Sequence, residues 1–186
     1  MKLSCFGLIC TYFVDVMGAD IHIVFEYYDE AEKRWFACNT WDIGFEYQDV
    51  TLTPERAEEY GFPMFCGYRH RISRNYIAFG YLGYDRGDYK ITPMSVQKLP
   101  KDLSAITEDL LIRMGHDAHT KRMLTLETFR AYKPSDTTEL GRPHQKPLGT
   151  EKECFENEFA FKTLRGILKS IERRHGPARM IYWFDN

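Results

Sequence analysis

Residues 19–29 read ADIHIVFEYYD, and their alternation decides the fold class. Ile21, Ile23, Phe25 and Tyr27 fall on one side of an extended chain, and Asp20, His22, Val24 and Glu26 on the other. A period of two belongs to a β-strand with one apolar face. DEAEK at 29–33 turns the chain, and RWFACNTW at 34–41 supplies an antiparallel partner. RMIYWFDN at 179–186 reads as a further strand whose IYWF centre belongs to the core.

Helical signals fill the space between. TPERAEEYG at 53–61 predicts a short helix, with Thr53 as N-cap, Pro54 at the first helical position and Gly61 as stop. SRNYIAFGYLG at 73–83 predicts another, from Ser73 to Gly83. In LPKDLSAITEDLLIRMG at 99–115, Ser104 is the N-cap, Ile106, Leu110 and Met114 share a stripe, and Gly115 ends the helix. TLETFRAYKP at 125–134 starts at Thr125 and closes before Pro134.

The longest helical pattern is CFENEFAFKTLRGILKSIERRHG at 154–176. Phe155, Phe159, Leu164, Ile167, Leu168 and Ile171 form its expected buried stripe. Its acids lie early and its bases late, as the helix dipole favours. Residues 133–150 hold three prolines with Gly141 and Gly149 and read as a long exposed loop. The expected architecture is α+β: an antiparallel sheet, several short helices, and one long C-terminal helix packed on the sheet.

With 186 residues, 44% hydrophobic and 28% charged, the chain has enough apolar surface for a real core. A net charge of −2 supplies no global basic field for nucleic acid, so no nucleic-acid partner is expected. Cys5, Cys10, Cys38, Cys66 and Cys154 are odd in number and scattered, with no C-x-x-C pair. They read as reduced, small hydrophobes of a cytoplasmic protein rather than as disulfides or zinc ligands. MKLSCFGLICTYFVDV at 1–16 is too short to span a membrane and reads as an extension or leader before a single domain at 17–186. Secretion through that leader stays open.

Several segments taken together resemble an uncharacterised family of bacteriophage and prophage proteins. They are Asp20-Ile21-His22, Arg74-Asn75-Tyr76 with Phe79, and Leu99-Pro100-Lys101-Asp102-Leu103-Ser104. Asp117-Ala118-His119, Leu124-Thr125 with Glu127, and Trp183-Phe184-Asp185-Asn186 complete the set. The chain departs from the family pattern at Lys98, which stands for a glycine, and in Asp117-Ala118-His119-Thr120-Lys121-Arg122, where D-x-H-S-x-S is usual. Thr120 keeps one hydroxyl and Arg122 replaces the other. The resemblance implies a phage setting in the host-cell cytoplasm and brings no chemistry with it.

Chemistry must come from the residues. Asp20 and His22 lie about 6.6 Å apart along one strand face, within reach of one ion. Asp117 and His119 repeat that spacing on what reads as a loop before a helix. Two carboxylates and two imidazoles suit a divalent metal with room for water, a hydrolytic arrangement. The bland alternative is an Asp–His pair that orients a ring.

A second reading puts a small anionic or nucleotide-like ligand at Arg74, Asn75 and Tyr76, where a helix opens, with Thr120 and Arg122 contributing. Its alternative is a solvated charge cluster. The two Asp-x-His segments are expected to meet in one polar pocket with Arg74 and Tyr76. Three functions therefore stay open: a ligand-binding phage accessory protein, for which the phage association makes counter-defence one candidate setting; a metal-dependent hydrolase; and a structural or interaction domain that forms a homo-oligomer.

Overall fold

The computed structural model describes residues 20–38, 46–51, 65–73, 75–84, 89, 91–141 and 144–185, and the backbone alone at 20, 46–51 and 65–73. The helix expected at 53–61, Trp41, Arg74 and residues 1–19 lie outside them.

Among the described residues the strands are β1 (Asp20–Asp29), β2 (Arg34–Ala37), β3 (Glu46–Thr51), β4 (Phe65–Ser73), β5 (Gln97–Lys98), β6 (His119–Leu124), β7 (Glu139–Leu140), β8 (Gly149–Thr150) and β9 (Ala178–Phe184). The main sheet runs β3-β4-β1-β9-β6-β5, with β2 also paired to β1, and every pairing is antiparallel. β9 lies between β1 and β6, and all seven of its residues are buried. Burial on both faces explains why ARMIYWF shows no polar alternation apart from Arg179.

The helices are α1 (Tyr76–Tyr81), α2 (Ala105–Met114), α3 (Leu126–Ala131), α4 (Glu151–Asn157) and α5 (Phe159–His175). Ile21, Ile23 and Phe25 of β1 and Met180, Tyr182 and Phe184 of β9 point into a large core with α1, α3, α4 and α5. Val24 and Trp183 point the other way, against Ile106 and Leu110 of α2. The alternation read in β1 is therefore real, and its second face is covered as well. Burial of each large side chain in these layers contributes about 1.5–3 kcal/mol.

Caps match at Ser104 and Thr125, whose hydroxyls accept from the backbone N–H groups of Thr107 and Thr128. Gly115 closes α2 with φ 54° and Gly176 closes α5 with φ 92°, backbone angles that favour glycine.

Four local expectations change. α1 is capped by Asn75 rather than Ser73, which is the last residue of β4. A six-residue strand, β6, stands where a loop was expected before α3. The 133–150 segment contains the small β7–β8 ladder, which buries Leu140.

The long C-terminal helix is two helices, broken at Glu158. There the backbone is extended (φ −63°, ψ 112°), and the Glu158 carboxylate accepts from Ala160 N–H and from Asn75 Nδ2. The first helix starts earlier than read, where Thr150 and Glu153 form a reciprocal capping box. The break shifts the helical phase, so Phe159 leaves the stripe and is 67% exposed. Ala160, Phe161, Leu164, Ile167, Leu168 and Ile171 are the residues buried on α5.

Candidate functional site

The first Asp-x-His segment finds its partner at the other end of the fold. His22 pairs across the sheet with Trp183, stacks on its indole at 5.6 Å, and places Nε2 2.6 Å from Asp185 Oδ2. His22 is 3% exposed, so a substrate has little access to its ring. His119 opens β6 opposite Phe184, the residue that also faces Ile21. Trp183 and Phe184 are consecutive on a strand and project to opposite faces, so the register assigns His22 and His119 to different faces. Asp117 is exposed in a 3-10 turn at Gly115–Asp117. Among the described residues, no group of three or more His, Cys, Asp or Glu side chains is placed to hold a metal. The Asp20 side chain lies outside them.

The residues assigned to a ligand have local duties. Asn75 caps α1 through Ala78 N–H and donates to Glu158, tying two helix ends together. Tyr76 packs edge-on against Phe79 at 5.4 Å. Thr120 sits in a β-bulge with φ 47°, and Arg122 donates from Nη1 to the Lys121 carbonyl.

Asp102 and Ser104 also bond to the sheet, through Glu26 and Arg179. Glu26, fully buried on β1, receives Arg179 Nε at 2.6 Å, Ser104 N–H at 2.9 Å and the Thr107 hydroxyl at 2.5 Å. Arg179 donates further to Asp102 Oδ1 (3.0 Å) and to the Asp102 carbonyl (2.6 Å). Its guanidinium lies 3.8 Å from the Trp35 ring centroid, and Trp35 Nε1 donates to Asp102 Oδ2. The negative charge of Glu26 thus stands against both a cation and the opening turn of α2.

A second buried carboxylate opens α4. Glu151 is 1% exposed. Its Oε1 accepts from Thr92 N–H and the Tyr132 hydroxyl, and its Oε2 from Ser135 N–H, all at 2.9 Å. Its backbone joins in, because the Glu151 carbonyl accepts from Tyr81 OH at 2.8 Å and its N–H donates to Thr138 O. Burial, then the hydrogen bond and charge of Glu151, push the Tyr132 phenol well above its ordinary value of 10.0. Tyr132 therefore remains a neutral donor across the physiological range. Residues 81, 92 and 132–138 are thus fastened to one glutamate, through its carboxylate and its backbone.

That fastening shapes a cleft of about 520 Å³. Phe129, Tyr132 and Phe155 provide its aromatic floor, and Arg130, Lys133, Lys152 and Arg165 line it. Four cations stand against two acids, Asp136 and Glu156, in a chain whose net charge is −2. Arg165 is held by the Phe161 carbonyl and lies 5.6 Å from the Phe155 ring centroid. Arg130, Lys133 and Lys152 make no ion pair among the described residues. Cations on a rigid concave wall can form charge-assisted hydrogen bonds to an anion, and the rings offer a surface for a planar group.

A larger cavity, about 670 Å³, lies beside Trp35, Glu127, Arg130 and Glu172. Trp35 lines this cavity, but its indole is already committed to Arg179 and Asp102. With two acids against one arginine, that cavity has no comparable attraction for an anion.

Sequence reasoning did not select the cleft. In the sequence, Arg130, Tyr132 and Lys133 belong to the end of a short helical pattern, and Glu151 and Lys152 stand between a turn-rich segment and a helix. The available signal was Thr150-Glu151-Lys152-Glu153, whose capping-box spacing marks a helix start directly after the turn-rich segment. No family model, curated protein or solved structure matches the chain, so function is read from the chemistry of this site.

Proposed function

We propose that this is a phage-type accessory protein of the host-cell cytoplasm that binds a small anionic, nucleotide-like ligand, with the Tyr132–Lys133–Lys152 cleft as its binding site. The phage resemblance suggests counter-defence as the setting. One observation carries the ligand class: four basic side chains from α3, the following loop, α4 and α5 line one concave aromatic surface, and three of them make no ion pair among the described residues. These share a wall whose backbone is locked by Glu151.

The probe is inorganic phosphate, followed through backbone amide chemical shifts. Shifts are expected to concentrate at residues 130–136 and 152–165. The Lys133→Ala/Lys152→Ala double variant is expected to raise Kd at least about tenfold, from two lost charge-assisted contacts. Its unfolding free energy should stay within about 0.5 kcal/mol of the parent, because both lysines are exposed. Equal phosphate affinity in parent and double variant would sink the reading.

A further inference from the structure

The cationic cleft has an immediate neighbour of different character. A second chamber of about 260 Å³ is lined by Thr92, Pro93, Ser95, Thr128, Ala131, Tyr132 and Lys133. Tyr132 and Lys133 belong to both chambers, so the two adjoin along this pair. Among the described residues, Lys133 at the boundary is the one charged side chain that lines the second chamber. Among the described residues, the hydroxyls of Thr92 and Ser95 make no hydrogen bond, and both residues are exposed. Pro93 and Ala131 add small apolar surfaces to the walls.

The shared wall is fixed from behind. The Tyr132 oxygen lies 2.6 Å from the Thr92 carbonyl and 2.9 Å from Glu151 Oε1. The ring also packs against Tyr81 and Phe155 at 5.9 and 4.9 Å. A side chain held this way is a preorganised divider, with little freedom left to lose when a ligand arrives.

Resting on the proposed anion site, we infer that the ligand is a phosphomonoester of an uncharged, hydroxyl-bearing ring, either a sugar phosphate or a nucleoside monophosphate. The phosphate occupies the cationic chamber, and Lys133 stands at the junction beside the ester oxygen. The ring occupies the neutral chamber, where Thr92 and Ser95 hydroxyls bond to its own hydroxyls and Pro93 and Ala131 cover its apolar edges. An uncharged chamber selects this half of the ligand, because a second anionic group placed there would lose its water and gain no cation beyond Lys133. Small ligands bind in cavities of a few hundred Å³ with few polar contacts, and the two chambers together fall in that range.

The test compares inorganic phosphate, ribose 5-phosphate and adenosine 5′-monophosphate on the intact protein, by amide shifts and calorimetry. Both esters are expected to bind at least about tenfold more tightly than inorganic phosphate. If the adenosine ester exceeds the ribose ester, the source is a nucleotide; if they are equal, it is a sugar phosphate. Ser95→Leu fills the neutral chamber and should return ester affinity to that of phosphate, leaving phosphate itself unchanged. Thr92→Val keeps the backbone bond to Glu151, removes only a hydroxyl, and should weaken the esters severalfold.

Esters no tighter than phosphate, or an ester preference that survives Ser95→Leu and Thr92→Val, overturn the two-chamber inference and leave the anion site standing. Phosphate binding that ignores Lys133 and Lys152 removes the anion site and the inference with it.

Discussion

Glu26 and Glu151 are both buried carboxylates, with exposures of 0% and 1%, and they are satisfied in opposite ways. Glu26 faces a cation: Arg179 pairs with it while reaching Asp102, so charge and geometry are closed within the protein. Among the described residues, Glu151 has only neutral donors, two backbone N–H groups and a phenol, and no ion pair. The nearby cations Arg130, Lys133 and Lys152 point to a cleft instead of neutralising it. The first network is complete as it stands and fixes α2 on the sheet. The second fixes a wall and leaves positive charge available at its surface. This difference separates a carboxylate closed within the fold from one that supports the wall of the proposed site.

The comparison can be broken most directly at Arg179. Arg179→Met leaves Glu26 buried with no counter-charge, a loss of about 3–5 kcal/mol. Urea unfolding should show it as a lower midpoint, and adding Glu26→Gln should recover part of the loss. No recovery in the double variant would mean that packing against Trp35, rather than charge, dominates there.

Glu151→Gln is the next largest change. An amide places an NH₂ group where one carboxylate oxygen accepted, so at least one buried donor loses its partner, costing about 1–3 kcal/mol. The same urea series measures it, and a loss equal to that of Arg179→Met would erase the proposed distinction between the networks.

The smallest effect is electrostatic and belongs to Asp102. Burial pushes its carboxyl up, but the hydrogen bond and charge of Arg179 outweigh this and hold it below 3.8. A folded-state pKa below the unfolded one stabilises the fold above the unfolded pKa, and the contribution fades as pH falls through the folded value. The stability gap between parent and Asp102→Asn should therefore be full above about pH 5 and shrink below pH 3.8. Asp102 is 67% exposed, so solvent keeps the pair near or below about 1 kcal/mol. A gap that is flat from pH 7 to pH 3 would remove Arg179 as its cause.

Several motifs legible in the sequence now have physical partners, and those partners are one another. The Asp-x-His strand meets the terminal Phe-Asp at His22–Asp185. Phe79 meets Phe184 at 5.1 Å, and Asp102 and Ser104 meet the β1–β9 pair through Arg179 and Glu26. Such residues stand out in a sequence because each satisfies a local rule of turn, cap or strand. The alternation of β1 and the caps at Ser104 and Thr125 were readable for the same reason.

The cleft was not readable, because its parts come from residues near 92, 130–136 and 151–165 and converge only after folding. Phe159 shows the same limit in miniature. Its periodicity fitted one long helix, and a single capping carboxylate at Glu158 moved it to the surface.

The position of β9 has a consequence for how the protein is made. It follows β1 by about 150 residues of chain, yet it separates β1 from β6 in the finished sheet. A nascent chain that has emerged only as far as α5 holds β1 and β6 with no strand between them, and their apolar faces lack the central layer of the core. Pairings this distant in sequence close slowly and expose unpaired strand edges while they wait. Translation pauses before residue 178 would lengthen that exposure. Synthesis of this fold is thus most vulnerable to aggregation in the interval before its innermost strand arrives.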